Sequence, residues 1–558
     1  MALALVTLLA DWKGIPRSIF PIYWGTAFFF IGGSRYVARL YYSRHQRNSD
    51  KTNVVIYGAG QSGIQLANAL VNNPDFRPVA YLDDDKSLQK AIIQSLPIYS
   101  PANLTLVIEK LRVEKVFLAL PAVSKQRKSE ILRYLEAFPV QVLSIPGISE
   151  LISGEKNIDE LREIEIDELL GRDSVAADEE LMNVCIHGLA VMVTGAGGSI
   201  GSELCRQIIR LQPSRLVLFD ASEFALYQIE QELRALVQSE QLTDRSDFIV
   251  PALGSVQDQD RLSEVLFHYR IKTLYHAAAY KHVPMVEHNP IEGIMNNTFG
   301  TLRTALAAQR AEVRHFVLIS TDKAVRPTNI MGGSKRMAEL ALQGIAQQSA
   351  KTLFSMVRFG NVLGSSGSVV PLFRQQIRSG GPITLTHPDI TRYFMTIPEA
   401  AQLVIQAGAM AKGGEVFLLD MGEPIKIIDL ARRMIHLSGM SIKDETHPDG
   451  DIAILTTGLR PGEKLYEELL IDSSADKTRH PKIFHAHEDY IDWDELTGVL
   501  DQLETACAER DTATIQDILE TCVQGFKGRV KTDILSPHLM KADPPSGNNI
   551  TLFPKPQY

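Results

Sequence analysis

Four reactive side chains stand directly after an apolar run that predicts a buried strand: Ser320, Thr321, Asp322 and Lys323. Two hydroxyls, a carboxylate and an ammonium group at a strand end are suited to proton transfer, and catalytic groups of open α/β sheets often lie at this edge. Lys335 follows twelve residues after Lys323. A helix that begins shortly before Lys335 would place Met331 on the same face. The stretch therefore predicts one wall of an active site.

A glycine-rich turn follows another predicted strand, at residues 189–194. It contains Gly195, Gly197, Gly198, Ser199, Ile200 and Gly201. Glycines at the start of a helix let the backbone approach a pyrophosphate, which the free N–H groups and the helix dipole favour. The next predicted strand ends in Asp220, and a carboxylate there suits the 2′-hydroxyl of a ribose and repels a 2′-phosphate. The pattern predicts an NAD site, with NADP as the alternative.

Small and polar residues follow a third predicted strand, at residues 271–275. The small ones are Ala277, Ala278 and Ala279, and the polar ones are Tyr280, Lys281 and His282. Three alanines at a strand end let the backbone lie against a flat cofactor. The polar side chains would then reach a substrate or a phosphate.

Further candidates for substrate binding lie towards the C-terminus. A loop rich in backbone N–H groups and hydroxyls is suited to a diphosphate, and its members are Arg358, Asn361, Ser365, Ser366 and Ser368. Arg392 and Arg460 are predicted cationic contacts, because arginine binds phosphate with two hydrogen bonds.

The composition is that of a globular protein with several domains. A chain of 558 residues is too long for one ordinary domain. Its net charge of −9 argues against a nucleic-acid-binding surface as the main function. The four cysteines lie far apart and form neither a CxxC pair nor a cluster spaced with histidines, so we predict no metal site and no disulfide framework.

The N-terminal region, residues 1–48, differs from the rest of the chain. Residues 18–34 form an uncharged run rich in aromatic side chains, slightly shorter than the ~20 residues that span a bilayer. Arginines follow this run, and by the positive-inside rule they place the remaining chain in the cytoplasm. We expect a membrane segment here, and a buried helical hairpin is the alternative.

The next stretch, residues 52–150, predicts a small Rossmann-like domain. Gly58, Gly60 and Gly63 stand between a predicted strand and a predicted helix, and Asp83 ends the following strand. This spacing is typical of a dinucleotide-binding turn. The same glycines also allow simple close packing of strand on helix, so the ligand stays open.

The predicted architecture is therefore α/β, with two Rossmann-like parallel-sheet domains in tandem. An acidic linker at residues 151–186 leads to the larger domain at residues 187–490. A helical region follows at residues 491–530, and the polar tail at residues 531–558 is expected to be disordered.

Seven motifs occur in a fixed order along the larger domain: TGAGGSIG, HAAAYKHVPMVE, NNTFGT, STDKAVRPTNIMGGSK, VRFGNVLGSSGSVVPLF, GGPITLTHPDITRYFMTIPEA and RPGEKLYEELL. Together they resemble the CapD-type bacterial polysaccharide-biosynthesis family. Members of that family are membrane-anchored nucleotide-sugar 4,6-dehydratases built on an extended short-chain dehydrogenase fold. The resemblance implies the same fold and activity here.

The resemblance also implies an unusual catalytic set. Short-chain dehydrogenases usually have a tyrosine four residues before the lysine, and Met331 occupies that position here. A thioether has no proton to exchange. The implied set is Thr321, Met331 and Lys335, in which Lys335 contacts the nicotinamide ribose and Thr321 orients the sugar 4-hydroxyl.

Asp322 and Lys323 extend this set to elimination chemistry. Oxidation at C4 of the sugar makes the C5 proton acidic, so a base can remove it while an acid protonates the departing C6 hydroxyl. We interpret Asp322 as the acid and Lys323 as the base, with a pKa lowered by burial and a neighbouring cation. The reverse assignment stays open.

The expected function is that of a 4,6-dehydratase that converts UDP-N-acetylglucosamine to UDP-2-acetamido-2,6-dideoxy-4-hexulose for surface polysaccharide synthesis. We expect a homo-oligomer tethered to the bacterial inner membrane, with its catalytic part in the cytoplasm. A nucleotide-sugar 4-epimerase and a non-enzymatic membrane nucleotide sensor are the two alternatives.

Overall fold

The computed structural model describes residues 19–46, 51–71, 73–120, 123–144, 162–163, 175–242, 247–365, 367–468 and 475–529. The chain divides into two compact units. The first comprises residues 1–165 with 436–440, and the second comprises residues 166–435 with 441–558. The predicted tail lies outside the described residues.

The first unit contains a long N-terminal helix and a Rossmann-like sheet. Its helices are α1 (Ile19–Gln46), α2 (Gln61–Val71), α3 (Leu104–Leu111) and α4 (Lys125–Leu135). Its strands are β1 (Thr52–Tyr57), β2 (Phe76–Leu82), β3 (Ile92–Ile93), β4 (Leu96–Tyr99), β5 (Lys115–Leu118), β6 (Gln141–Ser144) and β7 (Arg162–Glu163).

The sheet of the first unit has the order β3-β4-β2-β1-β5-β6-β7. Its central strands are parallel, and β3 and β7 pair antiparallel at the two edges. Val54, Ile56 and Phe117 are buried within it. These near-continuous apolar strands agree with a parallel sheet that is covered on both faces.

The strands of the second unit form its main sheet and three small ones. The main sheet contains β8 (Ala190–Thr194), β9 (Arg215–Asp220), β10 (Ile249–Leu253), β11 (Thr273–His276), β12 (His315–Ile319), β13 (Leu353–Arg358), β18 (Glu415–Leu419), β22 (Ala475–Lys477) and β23 (Ile483–Ala486). The small sheets contain β14 (Asn361–Val362), β15 (Ile383–Leu385), β16 (Thr391–Arg392), β17 (Phe394–Met395), β19 (Ile425–Lys426), β20 (Ile442–Lys443) and β21 (Ile452–Thr456).

The helices of the second unit alternate with these strands. They are α5 (Glu179–Val184), α6 (Ser199–Arg210), α7 (Glu223–Ser239), α8 (Gln259–His268), α9 (Val283–His288), α10 (Pro290–Ile294), α11 (Gly300–Arg310), α12 (Ile330–Gln348), α13 (Val369–Arg378), α14 (Ile397–Ala409), α15 (Ile427–Leu437), α16 (Trp493–Glu509) and α17 (Thr512–Cys522). A π-helical turn, Met295–Phe299, joins α10 to α11.

The main sheet has the order β10-β9-β8-β11-β12-β13-β18-β23-β22. The strands from β10 to β18 are parallel, whereas β23 and β22 are antiparallel. Hydrophobic clusters fill both faces of the sheet. A third cluster joins α12 to α16 and α17, so the C-terminal helices support the helix that carries Lys335.

Two expectations differ from the observed fold. Helix α1 mixes its exposed aromatic residues with glycines, a serine and Arg35, and among the described residues no helix combines the length and the apolar character needed to cross a membrane. The expected membrane segment is therefore not supported. In the stretch interpreted as a linker, residues 179–184 form helix α5, whose Leu181 and Met182 are buried.

Candidate active site

The carboxyl ends of four parallel strands, β8, β11, β12 and β13, meet at one edge of the main sheet. The strand order reverses between β8 and β11, and this reversal opens a crevice. A cavity of about 930 Å³ lies at the edge. Its wall includes the glycine turn after β8, the alanine segment after β11 and the polar stretch after β12. The sheet thus brings together three segments that are far apart in the sequence.

The glycine turn is shaped by close backbone approaches. Gly195 has a φ of +66°, a left-handed conformation that glycine adopts without strain. A Cβ at Gly201 would lie 2.0 Å from the Gly195 carbonyl oxygen, and a Cβ at Gly197 would lie 2.5 Å from the Cβ atom of Ala225. Only glycine fits these two positions, so the backbone itself forms the wall of the cavity.

Asp220 supports the same turn. Its Oδ2 accepts a hydrogen bond of 2.9 Å from the Gly197 N–H, and its Oδ1 accepts one of 2.8 Å from the Ser222 N–H. Gly197, Gly198, Ser199, Ile200 and Gly201 line the cavity, as do Ala277 and Ala279. Ala278 lies behind them, with its N–H nitrogen 2.7 Å from where a Gly195 Cβ would be.

These residues fit an NAD-type dinucleotide. The turn opens helix α6, whose N-terminal N–H groups favour a pyrophosphate. The carboxylate at the end of β9 has the position expected for a ribose contact. The contact between Asp220 and the ribose stays a prediction, as does the preference for NAD over NADP.

The polar stretch after β12 forms a hydrogen-bonded unit. Asp322 Oδ1 accepts hydrogen bonds of 2.9 Å from both the Thr321 hydroxyl and the Lys323 ammonium. Lys323 Nζ also donates to Asn361 Oδ1 at 3.1 Å. Thr321, Lys323 and Asn361 line the cavity. The Asp322 side chain is fully buried behind them, and its hydrogen bonds to Thr321 and Lys323 connect it to the cavity wall.

The charge of Lys323 differs from the expected one. Burial by itself lowers its pKa, but the nearby carboxylates of Asp322 and Glu467 outweigh burial, and the net pKa is raised. The sequence interpretation required a lowered pKa for a base, and that was wrong for this state of the site. Lys323 is an ammonium ion here, because two carboxylates stabilise its positive charge.

Lys335 and Met331 lie on the first turns of α12, as the spacing predicts. Lys335 Nζ donates a hydrogen bond of 2.8 Å to the Ile319 carbonyl. Burial lowers the pKa of Lys335 to about 8, against an opposing effect of the Glu339 carboxylate. Met331 is buried and lines the cavity beside Lys335, so a side chain without an exchangeable proton faces this part of the site.

Arg358 does not line the cavity, and its assignment to substrate binding was wrong. Its guanidinium is 1% exposed and forms ion pairs with the carboxylates of Glu339 and Glu488. Arg336 pairs with the same two carboxylates. Ser320 Oγ donates to Glu339 Oε1 at 2.6 Å. Arg358 therefore holds strand β13 against α12 behind the site.

The remaining substrate candidates lie around the cavity, apart from Ser366, which is outside the described residues. Those that line it are Tyr280, Lys281, His282, Ser365, Ser368, Arg392 and Arg460. Ser368 precedes α13 without capping it, and its buried Oγ has no hydrogen-bond partner among the described residues. Arg392 is held by the carbonyl oxygens of Thr391 and Lys464, at 2.7 and 2.8 Å.

Comparisons with known proteins agree with this arrangement. The polysaccharide biosynthesis protein family matches residues 191–488, and a CoA-binding domain family matches residues 1–146. The chain is 43% identical over 509 residues to the capsular polysaccharide biosynthesis protein CapD of Staphylococcus aureus, an alignment that covers 90% of this chain and 83% of the relative. The chain belongs to the CapD-type polysaccharide biosynthesis family.

Two further relatives extend the comparison. The probable polysaccharide biosynthesis protein EpsC of Bacillus subtilis is 41% identical over 451 residues, which are 80% of this chain and 73% of the relative. A UDP-glucose 4-epimerase of Rickettsia canadensis is 31% identical over 282 residues, which are 50% of this chain and 77% of the relative.

Glu467 of this CapD-type chain was not among the predicted site residues. Glu467 Oε1 lies 3.8 Å from Lys323 Nζ and 3.6 Å from Arg392 Nε, while Oε2 is buried without a hydrogen-bond partner among the described residues. Burial raises the pKa of Glu467. Glu467 lies in the motif RPGEKLYEELL, seven residues after Arg460, and this position could have marked it as a candidate site residue.

Proposed function

We propose that this CapD-type protein is an NAD-dependent nucleotide-sugar 4,6-dehydratase that acts on UDP-N-acetylglucosamine and yields UDP-2-acetamido-2,6-dideoxy-4-hexulose. The observation that carries the proposal is the shared carboxylate oxygen, Asp322 Oδ1, which accepts hydrogen bonds from both Thr321 and Lys323 at the cavity wall. One carboxylate thus connects a hydroxyl suited to the sugar 4-hydroxyl with an amine suited to the C5 proton.

When bound, NAD supplies a hydride acceptor for C4 and a hydride donor for C6. Thr321 orients the sugar 4-hydroxyl and relays the proton of that hydroxyl to Asp322. Met331 cannot take this proton, because a thioether has no proton-accepting group. Lys335, as an ammonium ion, holds the ribose and stabilises negative charge on the C4 oxygen.

Protonation of Asp322 changes the character of Lys323. The Asp322 carboxylate is one of two groups that keep the pKa of Lys323 high, while burial lowers it. Once Asp322 is neutral, one of the two carboxylates that oppose burial is lost, so the pKa of Lys323 falls and its proton passes to Glu467, whose pKa is raised by burial. The resulting amine is a base for the C5 proton of the 4-keto sugar.

The elimination of water from C5 and C6 follows. Lys323 removes the C5 proton, the C6–O bond breaks, and Asp322 returns the former 4-hydroxyl proton to the departing oxygen through Thr321, which forms water. Lys323 then returns the proton to C5, and Glu467 gives its proton back to Lys323. The net change is the loss of one water and the conversion of the C4 hydroxyl to a ketone.

The alternative is a nucleotide-sugar 4-epimerase, which the similarity to the UDP-glucose 4-epimerase of Rickettsia canadensis favours. Epimerisation requires hydride transfer at C4 alone and leaves the Asp322–Lys323–Glu467 group without a role. For this reason we favour the dehydratase. The similarity to the polysaccharide biosynthesis proteins CapD and EpsC supports a use of this reaction in surface polysaccharide synthesis.

Incubation of the full chain with NAD and UDP-N-acetylglucosamine tests the proposal. Mass spectrometry should show a product lighter by one water, with a 4-keto group. Recovery of only the C4 epimer would favour the alternative. Lys323→Arg is the matched variant, because a guanidinium stays protonated. It should form the reduced cofactor and the 4-keto sugar but lose no water, and dehydration at the rate of the unchanged protein would contradict the assigned base.

Attachment to the inner face of a bacterial cytoplasmic membrane through residues 1–48 stays a prediction, and so does assembly into a homo-oligomer. Fractionation of cells and light scattering of the purified full chain would test them.

A further inference from the structure

The last two strands of the main sheet bring three metal-binding side chains together. β22 and β23 pair antiparallel, with Asp476 directly opposite His485. His487 follows His485 by two residues, which places both imidazoles on the same face, because side chains alternate along an extended chain. One carboxylate and two imidazoles therefore share one face at the edge of the sheet, away from the cavity residues.

The distances between these groups suit a shared ion. One ligand atom from each of Asp476, His485 and His487 lies within 4.8 Å of the other two. The ring centroids of the two histidines are 4.7 Å apart, and His487 Nε2 lies 2.6 Å from Asp476 Oδ2. An ion with bonds of about 2.0–2.2 Å to nitrogen and oxygen needs small side-chain rotations to bind all three.

The chemistry of the donors favours a transition metal. A neutral imidazole offers a nitrogen lone pair to a metal ion. Two imidazoles and one carboxylate are a ligand set of zinc and of neighbouring divalent metals, whereas calcium and magnesium prefer oxygen alone. Asp476 and His487 are exposed, so an ion can enter from solvent.

We propose that Asp476, His485 and His487 form a binding site for a divalent transition-metal ion such as Zn²⁺. The site leaves the fourth tetrahedral position open to water. It would join β22 to β23 across the edge of the sheet, next to Glu488, which pairs with Arg358 and Arg336. The proposal is independent of the proposed function, because none of its ligands lines the cavity.

The competing explanation is a plain ion pair between His487 and Asp476. That ion pair requires a protonated His487, and His485 is not a member of it. The chain offers a matched control in His447, an exposed histidine whose Nδ1 lies 3.6 Å from Asp444 Oδ1. The described residues place no second histidine in a three-ligand group with that pair.

The experiment measures Zn²⁺ binding to the full chain, prepared without a histidine tag and stripped with a chelator, by equilibrium dialysis and isothermal titration calorimetry. We expect one equivalent of tightly bound Zn²⁺. His485→Ala and His487→Ala should each weaken binding by about tenfold or more, whereas His447→Ala should bind as the unchanged protein does.

Circular dichroism identifies any variant that fails to fold, and Asp476→Asn then serves as the substitute, because it preserves size and removes the charge. The site is supported if the Asp476, His485 and His487 variants each lose one equivalent of bound Zn²⁺ and His447→Ala loses none. Equal binding by the unchanged protein and by the His485→Ala, His487→Ala double variant would overturn the proposal. A loss of binding in His447→Ala as large as in His485→Ala would overturn it as well.

Discussion

At the scale of single residues, the Asp322 carboxylate stabilises the positive charge of Lys323. It is fully buried, and its Oδ1 holds both Thr321 and Lys323. Its Oδ2 is buried and has no hydrogen-bond partner among the described residues. A buried carboxylate that changes its charge alters the proton affinity of every group beside it. In the proposed reaction, this change turns Lys323 from an ammonium ion into a base.

Glu467 should be needed for the elimination and not for C4 oxidation. Glu467→Gln removes the group that receives the Lys323 proton and keeps the shape of the side chain. Because loss of a proton-transfer group typically slows a step by about 100-fold or more, release of water should slow by that amount, while the reduced cofactor still forms. Stopped-flow absorbance and mass spectrometry measure the two steps.

The neighbouring residue provides the control for this prediction. Glu468 is partly exposed and forms ion pairs with Arg326 and Lys464. Glu468→Gln should dehydrate the sugar at the rate of the unchanged protein. If Glu467→Gln did the same, Glu467 would have no part in proton transfer.

The pH dependence of C4 oxidation should reflect Lys335. Its pKa is lowered to about 8, below the ordinary value of ~10.4 for lysine. The folded protein therefore loses this positive charge as the pH rises through about 8, and the rate of cofactor reduction should fall over the same range. Any rate that Lys335→Arg retains should lack this decline, since a guanidinium keeps its proton. A rate that rises through this range in the unchanged protein would show that the amine form is the active one.

Much of the site could be predicted from residue types. The glycine turn, the polar stretch after β12 and the Met331–Lys335 pair all lie where their spacing indicates, since each belongs to one local segment. Arg358 and Glu467 were misjudged or missed, because their roles depend on the tertiary partners Glu339, Glu488 and Lys323. Sequence spacing contains no information about such pairings.

At the scale of elements, strand β13 and helix α12 are joined by a buried charge network behind the cavity. Two arginines, Arg336 and Arg358, share the carboxylates of Glu339 and Glu488. Glu339 also accepts a hydrogen bond from Ser320, so the network reaches the strand end that precedes Thr321. Buried charges of this kind require all their partners, because an isolated charge is poorly solvated by protein.

Arg358 and Arg460 should respond to substitution in opposite ways. Arg358→Met leaves two buried carboxylates with too little positive charge and should lower the free energy of unfolding by about 3–5 kcal/mol, without weakening UDP binding in the protein that stays folded. Arg460 is exposed at the cavity wall. Arg460→Met should weaken UDP binding and change stability by less than about 0.5 kcal/mol.

Chemical denaturation and titration with UDP separate these two effects. The pair of variants is matched, since each loses one guanidinium and gains the same side chain. Weaker UDP binding by Arg358→Met, measured on folded protein, would return Arg358 to the substrate site.

Strands and helices were predictable from the sequence where their apolar residues form a continuous run or recur at helical spacing. The buried strands β8, β9 and β12 are continuous apolar runs, and α6 places Leu204 and Ile208 one turn apart on its buried face. The pairing of β22 with β23 was not foreseen, and so the Asp476, His485 and His487 group was not either. Its members are joined by cross-strand register, and a search for closely spaced ligands in the sequence cannot detect that.

At the scale of the whole molecule, both units contain a strand–turn–helix in which an aspartate holds the turn. In the first unit Asp83 Oδ2 accepts a hydrogen bond of 2.7 Å from the Ala59 N–H, and in the second Asp220 accepts one of 2.9 Å from the Gly197 N–H. Each turn is closed by a glycine in contact with an earlier carbonyl. Each unit also has a hydrophobic core of its own. Both turns therefore have the strand-to-helix geometry that suits a nucleotide, and the second lines the same cavity as Lys323 and Lys335.

This duplication predicts two separate thermal transitions. A Cβ at Gly63 would lie 1.9 Å from the Gly58 carbonyl oxygen, and one at Gly201 would lie 2.0 Å from that of Gly195. Gly63→Ala should lower only the transition of the first unit in calorimetry, and Gly201→Ala only that of the second. NAD should raise only the transition that Gly201→Ala lowers, since a ligand stabilises the unit that binds it.

Gly498→Ala, at a position open to solvent, should lower neither transition. One transition lowered by both turn variants would show that the units unfold together, and a rise in the transition lowered by Gly63→Ala would place a dinucleotide in the first unit.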